Sequence, residues 1–508
     1  MAKRTVKSQI TTPNLVQATL SGSISFFSFS EIALWPIVFF SIIWFLFLLK
    51  NIGKIESFWV GWFFGIGYFG SNIWWIHISI ENFGFPNSFL AVTLNALFIS
   101  LLSLYFSIFG LLTNLVFKLS IIGALMISFF WLLMEIARSY FFTGFPWLIL
   151  GYSQIDSPFS NLFPLIGAYG ISFVVVAISF CAFSILSSSC WLKKIKFLCL
   201  FGLFSLMIYA LNDVQYTSDT SAPLKISIIQ GSVTQDKRWS DQSTELILER
   251  YMELSQDEWK ADVVVWPETV FTELINLEET FIQMLLNKSN KTETALIIGI
   301  PFHQKIDNKI FNSILVLGSS NDLYKKRKLV PFGEYFPFRR VLADLYSKID
   351  IPLSDFDPGP TEKNSVFVKG RSVGLLICYE IAFASIARSS LPKAELIINV
   401  SNDSWFGNTV AAFQHLQIVR VRAAELGRPI IRATNTGISA FIDHRGKLLK
   451  VTDKFTSQII TNQIVGQEGE TFYGKIGEKG IVSGLLILII LVSVLQFLGR
   501  QSFKTGNQ

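Results

Sequence analysis

The sequence predicts a multi-span α-helical membrane bundle joined to an α/β domain with mixed sheets. Two observations lead to this fold class. Hydrophobic residues make up 51% of the 508 residues and charged residues only 16%, whereas soluble domains carry about 25% charged residues. Long apolar stretches fill the first 211 positions, and short β-rich runs alternate with amphipathic stretches from about 224 to 470.

Eight apolar segments are candidates for membrane spans, judged by the apolar length that a bilayer requires. They are residues 12–30, 32–49, 57–79, 86–117, 119–138, 161–189, 192–211 and 480–499. The basic stretch Met1–Lys7 precedes the first segment, and no small-residue cleavage site follows. An uncleaved first helix is therefore favoured over a signal peptide.

Lysine and arginine are concentrated in alternate loops. Lys50, Lys54, Lys118 and the cluster at 193–196 fall on the N-terminal side of the predicted bundle, and the opposite loops contain few basic residues. By the positive-inside rule, both termini are expected in the cytoplasm of a bacterium and the polar region on the periplasmic side of its inner membrane. The net charge of +6 is small for this length, so the basic clusters indicate topology and not nucleic-acid binding.

Composition divides the chain into three regions. We predict a membrane domain with seven spans at 1–214, a periplasmic catalytic domain at 222–472, and an eighth span with a cytoplasmic tail at 478–508. The runs at 295–300 and 313–317 are close enough in sequence to pair as antiparallel strands, which predicts a mixed sheet.

One cysteine of the polar region follows an apolar run that has the length of a buried strand. Cys378 comes directly after 373–377 and precedes a short helical segment, 381–390. A helix N-terminus favours thiolate over thiol, so the position suits a nucleophile. The alternative is a buried small hydrophobic residue, which a lone cysteine often is. The four cysteines, at 181, 190, 199 and 378, have neither metal-ligand spacing nor a disulfide pattern.

Two further segments carry candidate catalytic residues. Glu268 lies just beyond the apolar run 262–266, where a carboxylate can act as a general base or can simply be a solvated acid. A basic cluster then runs into a packed loop, and we favour Lys326 within it, although periodicity does not separate it from Lys325 or Lys328.

A glutamate, a lysine and a cysteine are chemically sufficient for acyl transfer. Glu268 would take the thiol proton, and Lys326 would stabilise the thiolate and the oxyanion together with the backbone N–H of Tyr379. The histidines of this region have no motif-like context around the cysteine, and His415 is interpreted as structural.

Three motifs together carry a family resemblance. Trp266–Glu268, Lys326–Glu334 and Cys378–Glu380 resemble the nitrilase (carbon–nitrogen hydrolase) superfamily, whose triad is Glu, Lys and Cys in that order. With its apolar spans, the chain resembles the bacterial apolipoprotein N-acyltransferase family. Further stretches agree with that family: Leu34–Pro36, Thr143–Trp147, Gln230–Gly231 with Trp239, Ser401–Gly407, Gln414–His415, Arg420–Pro429 and Asn435–Gly437.

The resemblance implies a fold and roles for individual residues. It implies an αββα sandwich, with Glu268 as base, Lys326 as charge stabiliser and Cys378 as nucleophile. It also implies that Glu334 is an acid that orients the lysine. Tyr379 and Glu380 would shape the pocket, and Trp239 and Trp405 would lie on flaps at the lipid entrance. Plain packing or interface anchoring is the alternative for both tryptophans.

The resemblance also implies the reaction. A phospholipid, with phosphatidylethanolamine favoured, would acylate Cys378 through its sn-1 ester. The thioester would then pass the acyl chain to the N-terminal amine of a diacylglyceryl-modified apolipoprotein. Neither a metal nor an organic cofactor is expected.

Two other classes remain open. One is a membrane-tethered amidase or nitrilase that acts on a small carbon–nitrogen substrate, but it would not need eight spans. The other is a catalytically dead lipid-binding scaffold or transporter, which the intact triad argues against. The acidic and basic side chains that lie well inside the first seven predicted spans are those of Glu135 and Arg138. They are one helical turn apart, so they can form an ion pair.

Overall fold

The computed structural model describes residues 12–83, 87–117, 120–189, 191–211, 214–220, 222–233, 244–271, 273–335, 356–361 and 365–505. Its contacts divide the chain into two compact units. The first unit extends to residue 74 and includes 93–214 and the chain from 475 onward; the second includes 75–92 and 215–474. The domain limits predicted from composition stay predictions.

The N-terminal half of the chain is helical. Its helices are α1 (Thr12–Ser23), α2 (Phe26–Phe29), α3 (Ile37–Leu49), α4 (Lys54–Asn72), α5 (Ile76–Phe83), α6 (Ser88–Val116), α7 (Ile121–Tyr140), α8 (Phe163–Ser187) and α9 (Trp191–Ala210), with 3₁₀ turns at Leu150–Gln154 and Pro158–Leu162. The later helices of the described residues are α10 (Thr244–Leu254), α11 (Thr280–Thr292), α12 (Ala384–Arg388), α13 (Ala411–Leu426) and α14 (Phe472–Thr505).

Four helices of the described residues are long and apolar enough to cross a membrane. They are Ser88–Val116, Ile121–Tyr140, Pro158–Ser187 and Phe472–Leu495. The first predicted span is divided into α1 and α2, and α3 has only 13 residues. The chain is therefore a membrane protein, and the full count of eight spans stays a prediction.

Glu135 and Arg138 of α7 are both bonded to the loop that follows this helix. Glu135 Oε1 accepts hydrogen bonds from the Trp131 indole at 3.0 Å and the Leu150 amide at 2.7 Å. Arg138 donates to the carbonyl of Phe145 at 2.8 Å. These two side chains therefore fix the path of the backbone between α7 and α8.

The second unit contains a pair of mixed sheets. Its strands are β1 (Ser218–Asp219), β2 (Leu224–Gln230), β3 (Val263–Val265), β4 (Ala295–Gln304), β5 (Lys309–Leu317), β6 (Leu323–Lys325), β7 (Val366–Val368), β8 (Arg371–Ile377), β9 (Leu396–Ser401), β10 (Ile430–Thr434), β11 (Ala440–Ile442), β12 (Leu448–Val451), β13 (Gln458–Ile464) and β14 (Gln467–Glu468). Within the described residues, the strand orders are β13-β2-β3-β4-β5-β6 and β12-β11-β10-β9-β8-β7.

The mixed character predicted from sequence is confirmed. β4 and β5 pair antiparallel, from Leu296 opposite Leu317 to Gln304 opposite Lys309, whereas β2, β3 and β4 run parallel. In the second sheet, β8, β9 and β10 run parallel. The carboxyl ends of parallel strands meet at one edge, and this edge carries the candidate site.

Side chains that alternate along β2 belong to two different hydrophobic cores. Ile226 and Ile228 of β2 belong to a buried cluster that also contains Leu375 and Ile377 of β8, so this core lies between the two sheets. Ile229 faces the opposite way, into a cluster with side chains of α10 and α11. Residues that alternate in this way give each sheet one face toward the other sheet and one toward helices.

Candidate active site

Each predicted catalytic residue follows the end of a strand. Glu268 lies three residues after β3, Lys326 directly after β6, and Cys378 directly after β8. β3 and β8 are buried and apolar, and the chain turns just beyond them, which places Glu268 and Cys378 at the sheet edge. Strand ends from both sheets contribute these residues.

Lys326 lies between two carboxyl groups. Its Nζ is 2.8 Å from Glu334 Oε1 and 3.3 Å from Glu268 Oε1. Asn312 of β5 donates from Nδ2 to the same two oxygens, at 2.8 Å for Glu268 and 2.7 Å for Glu334. The lysine and the amide therefore both bridge the two carboxyl groups.

This acid–lysine cluster is almost completely buried. The relative exposure of Lys326 is 1% and that of Glu268 is 4%. Burial acts to lower the pKa of Lys326, but the charges of Glu334 and Glu268 outweigh it and hold the pKa above its ordinary value. Glu268 Oε2 has no hydrogen-bond partner in the described part of the chain. This oxygen can accept a proton or a hydrogen bond from a reacting group.

Cys378 occupies a backbone conformation that is rare for a residue with a side chain. Its φ is 50°, and it begins the 3₁₀ turn Cys378–Ala382 directly after the strand. A non-glycine residue with positive φ carries backbone strain, and such strain is found at functional sites.

The resting cysteine is a thiol. Burial raises its pKa to about 12, the charge of Glu268 acts in the same direction, and Lys326 acts against them. Desolvation and the charge of Glu268 both oppose the thiolate that the sequence predicted a helix N-terminus would favour. The site needs a base to form the nucleophile.

Glu380 ties the cysteine turn to the lysine loop. Its carboxylate is fully buried and accepts hydrogen bonds from the amide of Ile377 at 2.8 Å, the amide of Arg327 at 2.7 Å and the hydroxyl of Tyr324 at 2.9 Å. Burial raises the pKa of Glu380, and these backbone amides oppose the shift. One side chain thus fixes residues next to both Cys378 and Lys326.

The neighbouring lysines point elsewhere. Lys325 Nζ lies 4.0 Å from the centre of the Phe311 ring and also bonds Gln304. Lys328 Nζ lies 4.7 Å from the centre of the Phe383 ring. The structure therefore separates Lys326, which the periodicity alone left equivalent to the other two.

Sequence reasoning missed a second buried cluster, centred on Asp403. Asp403 Oδ2 accepts from Arg432 at 2.8 Å, and Oδ1 is 3.1 Å from His415 Nδ1 and 3.0 Å from Ser401 Oγ. Burial acts to raise the pKa of Asp403, but Arg432 and His415 hold it well below its usual range. The stretch 401–407 was noticed only as part of a family pattern. Asn312, a buried amide side chain within β5, was missed as well.

The remaining predicted residues are placed as follows. The ring of Tyr379 stands perpendicular to that of Phe383, with 5.0 Å between centres. The backbone carbonyl of Trp405 accepts a hydrogen bond from Ser79 of α5 at 2.7 Å. Trp239 lies outside the described residues.

A tryptophan next to α5 also belongs to the second unit. Trp75 donates from Nε1 to Gln414 at 3.2 Å, and its ring meets that of Phe406 edge-on at 4.8 Å. The 3₁₀ turn Asp403–Phe406 is therefore held by side chains from a segment far away in sequence. In the part of the chain that the structure describes, no group of three or more His, Cys, Asp or Glu is arranged to hold a metal ion.

Two mixed sheets with a buried Glu–Lys pair and a cysteine at their strand ends define a carbon–nitrogen hydrolase-type domain on a membrane protein. Residues 225–471 match the carbon–nitrogen hydrolase family model. Residues 21–181 match the model of the apolipoprotein N-acyltransferase N-terminal domain.

Relatives agree over almost the whole chain. The apolipoprotein N-acyltransferase of Coxiella burnetii is 35% identical over 95% of this chain and 100% of its own. That of Pasteurella multocida is 34% identical over 94% of each chain. Among solved structures, an amidase of the nitrilase superfamily from Nesterenkonia AN1 is 15% identical over 50% of this chain and 94% of its own, with a TM-score of 0.37. The chain belongs to the apolipoprotein N-acyltransferase family and is an acyltransferase enzyme.

Proposed function

We propose that this enzyme transfers an acyl chain from a phospholipid, through a thioester on Cys378, to the N-terminal amine of a diacylglyceryl-modified apolipoprotein. The names of the relatives support the acceptor class. The observation that carries the chemistry is the buried Glu268–Lys326 pair, 3.3 Å apart, beside a cysteine that rests as a thiol. A buried base and a fixed cation are what a protonated nucleophile requires.

In the first step, Glu268 takes the proton from Cys378 Sγ as the sulfur attacks the ester carbonyl of the phospholipid. The carbonyl oxygen becomes an oxyanion, which Lys326 Nζ and the Tyr379 amide stabilise. The carbon–oxygen bond then breaks, and the proton on Glu268 goes to the leaving alkoxide. A lysophospholipid departs, and Cys378 retains the acyl chain as a thioester.

In the second step, the amine of the apolipoprotein attacks the thioester carbonyl. Glu268 accepts a proton from the amine, the carbon–sulfur bond breaks, and sulfur leaves as thiolate. The proton returns to Cys378, so the enzyme ends as it began. Glu334 supports both steps as a positioning residue, because its contact with Lys326 directs the ammonium. Trp239, Trp405, Tyr379 and Glu380 would border the substrate path or support its walls.

The membrane arrangement is part of the proposal. We expect eight spans, cytoplasmic termini, and a catalytic domain at 222–472 on the periplasmic face of the inner membrane, where both lipid-anchored substrates would reach it. Phosphatidylethanolamine is the favoured donor. A reporter fused after Gln508 should read as cytoplasmic; a periplasmic signal contradicts the count of eight.

The test of the chemistry is the intact mass of the purified protein after incubation with phosphatidylethanolamine. We expect the mass to rise by one acyl chain, located on Cys378, and the adduct to be discharged by a diacylglyceryl lipopeptide but not by water. An adduct that water removes quickly would identify a lipid-ester hydrolase instead. A free thiol with no adduct would favour a tethered amidase acting on a small carbon–nitrogen substrate.

A further inference from the structure

Two carboxyl groups of the site share one buried cation. The ammonium of Lys326 lies 2.8 Å from Glu334 Oε1 and 3.3 Å from Glu268 Oε1. A single cation balances a single carboxylate, so the cluster keeps a negative charge when both acids are ionised. A buried charge without compensation favours the uptake of a proton. Because a protonated Glu268 cannot act as the base of the proposed cycle, a further donor to these acids would keep that base available.

We propose that Asn312 is a positioning residue that keeps Glu268 ionised and leaves its Oε2 oxygen available to accept a proton. The inference rests on the proposed function for the role of Glu268 as base. Its physical basis is independent of the substrate, because it concerns only the two acids and the donors that are hydrogen-bonded to them.

The amide group of Asn312 meets the same two oxygens as the ammonium. Its Nδ2 lies 2.8 Å from Glu268 Oε1 and 2.7 Å from Glu334 Oε1. The amide has two N–H groups, so it can donate one to each carboxyl group. Hydrogen bonds to ionised acceptors are stronger than those between neutral groups, and Asn312 is only 3% exposed, so water competes little. The amide thus stabilises the charge that Lys326 leaves uncompensated.

The backbone fixes the position of this amide relative to the base. Asn312 lies within β5, and its carbonyl accepts a hydrogen bond from the amide of Lys326 at 2.8 Å. The carbonyl of Pro267, directly before Glu268, accepts from the amide of Gly299 in β4 at 3.1 Å. β4 lies between β3 and β5 in the sheet and pairs with both. The donor and its acceptor are therefore held on neighbouring strands.

These contacts leave one oxygen of Glu268 for chemistry. Asn312 and Lys326 both meet Oε1, whereas Oε2 has no hydrogen-bond partner in the described part of the chain. Two donors on one oxygen hold the carboxyl group in place. A proton can therefore be taken up at Oε2 and given back without the loss of either contact.

Packing alone does not explain an amide at this position. Asn312 Oδ1 is buried and has no hydrogen-bond partner among the described residues. A buried acceptor without a donor destabilises the fold, and a leucine of similar volume would avoid that cost. The favourable part of this side chain is therefore the NH₂ group, which donates to the two acids.

The experiment measures thioester formation on Cys378 as a function of pH. Full-length protein in detergent is mixed with phosphatidylethanolamine between pH 4 and pH 8, and the intact mass gives the initial rate. The rate should fall on acidification, as the pair of acids takes up a proton. The other titratable groups that act on this pair, Lys326 and Cys378, keep their protons throughout. The pKa of Lys326 lies above its ordinary value, and that of Cys378 is raised to about 12.

Asn312→Leu removes both N–H groups at nearly unchanged volume. We expect the pH of half-maximal rate to rise by about one unit, the shift that corresponds to the loss of a hydrogen bond to a charged group. Asn312→Ala removes the same N–H groups without adding bulk and should move this pH in the same direction. The wild-type pH dependence in both variants would overturn the proposal.

Asn435→Leu is the matched control. Asn435 is also a fully buried amide, but it is bonded to the backbone of Val233. It accepts from the Val233 amide at 3.1 Å and donates to the Val233 carbonyl at 2.7 Å. We expect its pH of half-maximal rate to be that of the wild type. A shift equal to that of Asn312→Leu would contradict a specific effect on the acids.

Melting temperatures test the same charge without a substrate. Donors to a carboxylate stabilise the fold while the carboxylate is ionised, and this stabilisation is lost as the group is protonated. The melting temperature of Asn312→Leu, relative to that of the wild type, should therefore rise as pH falls from 7 to 3. For Asn435→Leu this difference should stay constant.

The two measurements separate failure of this inference from failure of the proposed acyl transfer. If the wild type forms no adduct at any pH, the proposed chemistry is wrong, and the melting temperatures still decide the role of Asn312. A difference in melting temperature between Asn312→Leu and the wild type that does not change with pH would refute that role.

Discussion

The two facing sheets of the second unit each carry a buried charge cluster, and the two clusters differ in how completely their acids are paired. On one side, the carboxyl groups of Glu268 and Glu334 share one ammonium, that of Lys326, and Glu268 Oε2 has no partner in the described part of the chain. On the other side, both oxygens of Asp403 accept hydrogen bonds, and the guanidinium of Arg432 meets the carboxylate directly.

This difference separates a reactive cluster from a supporting one. A buried carboxylate with an open oxygen can take up a proton without breaking an existing contact, whereas a carboxylate held by Arg432 loses an ion pair if it is protonated. Similar residue types at the edges of the two sheets therefore have different chemistry. Cys378 experiences both clusters, because Glu268 and Asp403 each act to raise its pKa.

The largest loss of activity is expected at Cys378, on which both clusters act. Cys378→Ala removes the atom that would carry the acyl chain, so we expect acyl transfer to fall by more than about ten-thousandfold. Lipopeptide acylation measures this, and an unchanged melting temperature shows that the fold persists. Cys199→Ala, at an exposed position of α9, is the control and should remain fully active. Substantial turnover by Cys378→Ala would remove the nucleophile assignment.

Glu268→Gln should change two rates in opposite directions. Acyl transfer should fall by about a thousandfold, since general-base catalysis contributes about that much. Alkylation of Cys378 by iodoacetamide, which reacts with the thiolate, should become faster. The charge of Glu268 acts to raise the pKa of the thiol, so its removal lowers that pKa. Parallel assays of both rates at pH 8 measure this, and a slower alkylation would contradict the electrostatic role given to Glu268.

Lys326→Ala should reduce acyl transfer by about a hundredfold to a thousandfold, as loss of an oxyanion donor does. The variant should also unfold more easily, because Glu268 and Glu334 lose their shared cation in a buried site. Lys325→Ala is the matched control, since Lys325 lies against Phe311 and outside the cluster. Equal losses of activity in both variants would mean that the wrong lysine has been chosen.

Asp403→Asn tests the supporting cluster. It leaves the buried guanidinium of Arg432 without its counter-charge, so we expect unfolding to become easier by about 3–5 kcal/mol at pH 7. The pKa of Asp403 is held below its usual range. The stabilisation is therefore complete above about pH 4, the ordinary aspartate pKa, and is lost as pH falls toward the lowered value. Denaturant unfolding at pH 7 and pH 3 measures this. A difference that grows on acidification would contradict the pairing.

The smallest effect is expected at Trp75, which supports the Asp403 turn from outside the segment matched by the hydrolase family model. Trp75→Phe keeps the ring contact with Phe406 but removes the N–H donor to Gln414, so we expect a loss of about 1 kcal/mol in thermal unfolding. Trp191, 70% exposed, provides the control, and Trp191→Phe should be neutral. Equal stability of the two variants would remove the supporting role.

Several parts of the site could be predicted from local pattern. Glu268 and Cys378 each stand just beyond a buried apolar run, and that placement alone made them candidates. Lys326 was not separable in this way, because a run of basic residues has no internal period that distinguishes one lysine from the next. Asn312 was missed as a functional candidate, since a single amide at a strand position has no local signature.

The sequence by itself determined the division into apolar helices and an α/β region, the antiparallel β4–β5 pairing, and the strand ends that are followed by polar residues. These features depend on hydrophobic runs and their periods, which are local properties of the chain. Only the tertiary structure decided which charges meet. Lys326 and Glu268 are 58 positions apart, and Glu380 is 53 positions from the amide of Arg327 that it accepts from. The protonation of the Cys378 thiol depends on such distant neighbours and on burial. Neither can be inferred from the residues adjacent to Cys378 in the sequence.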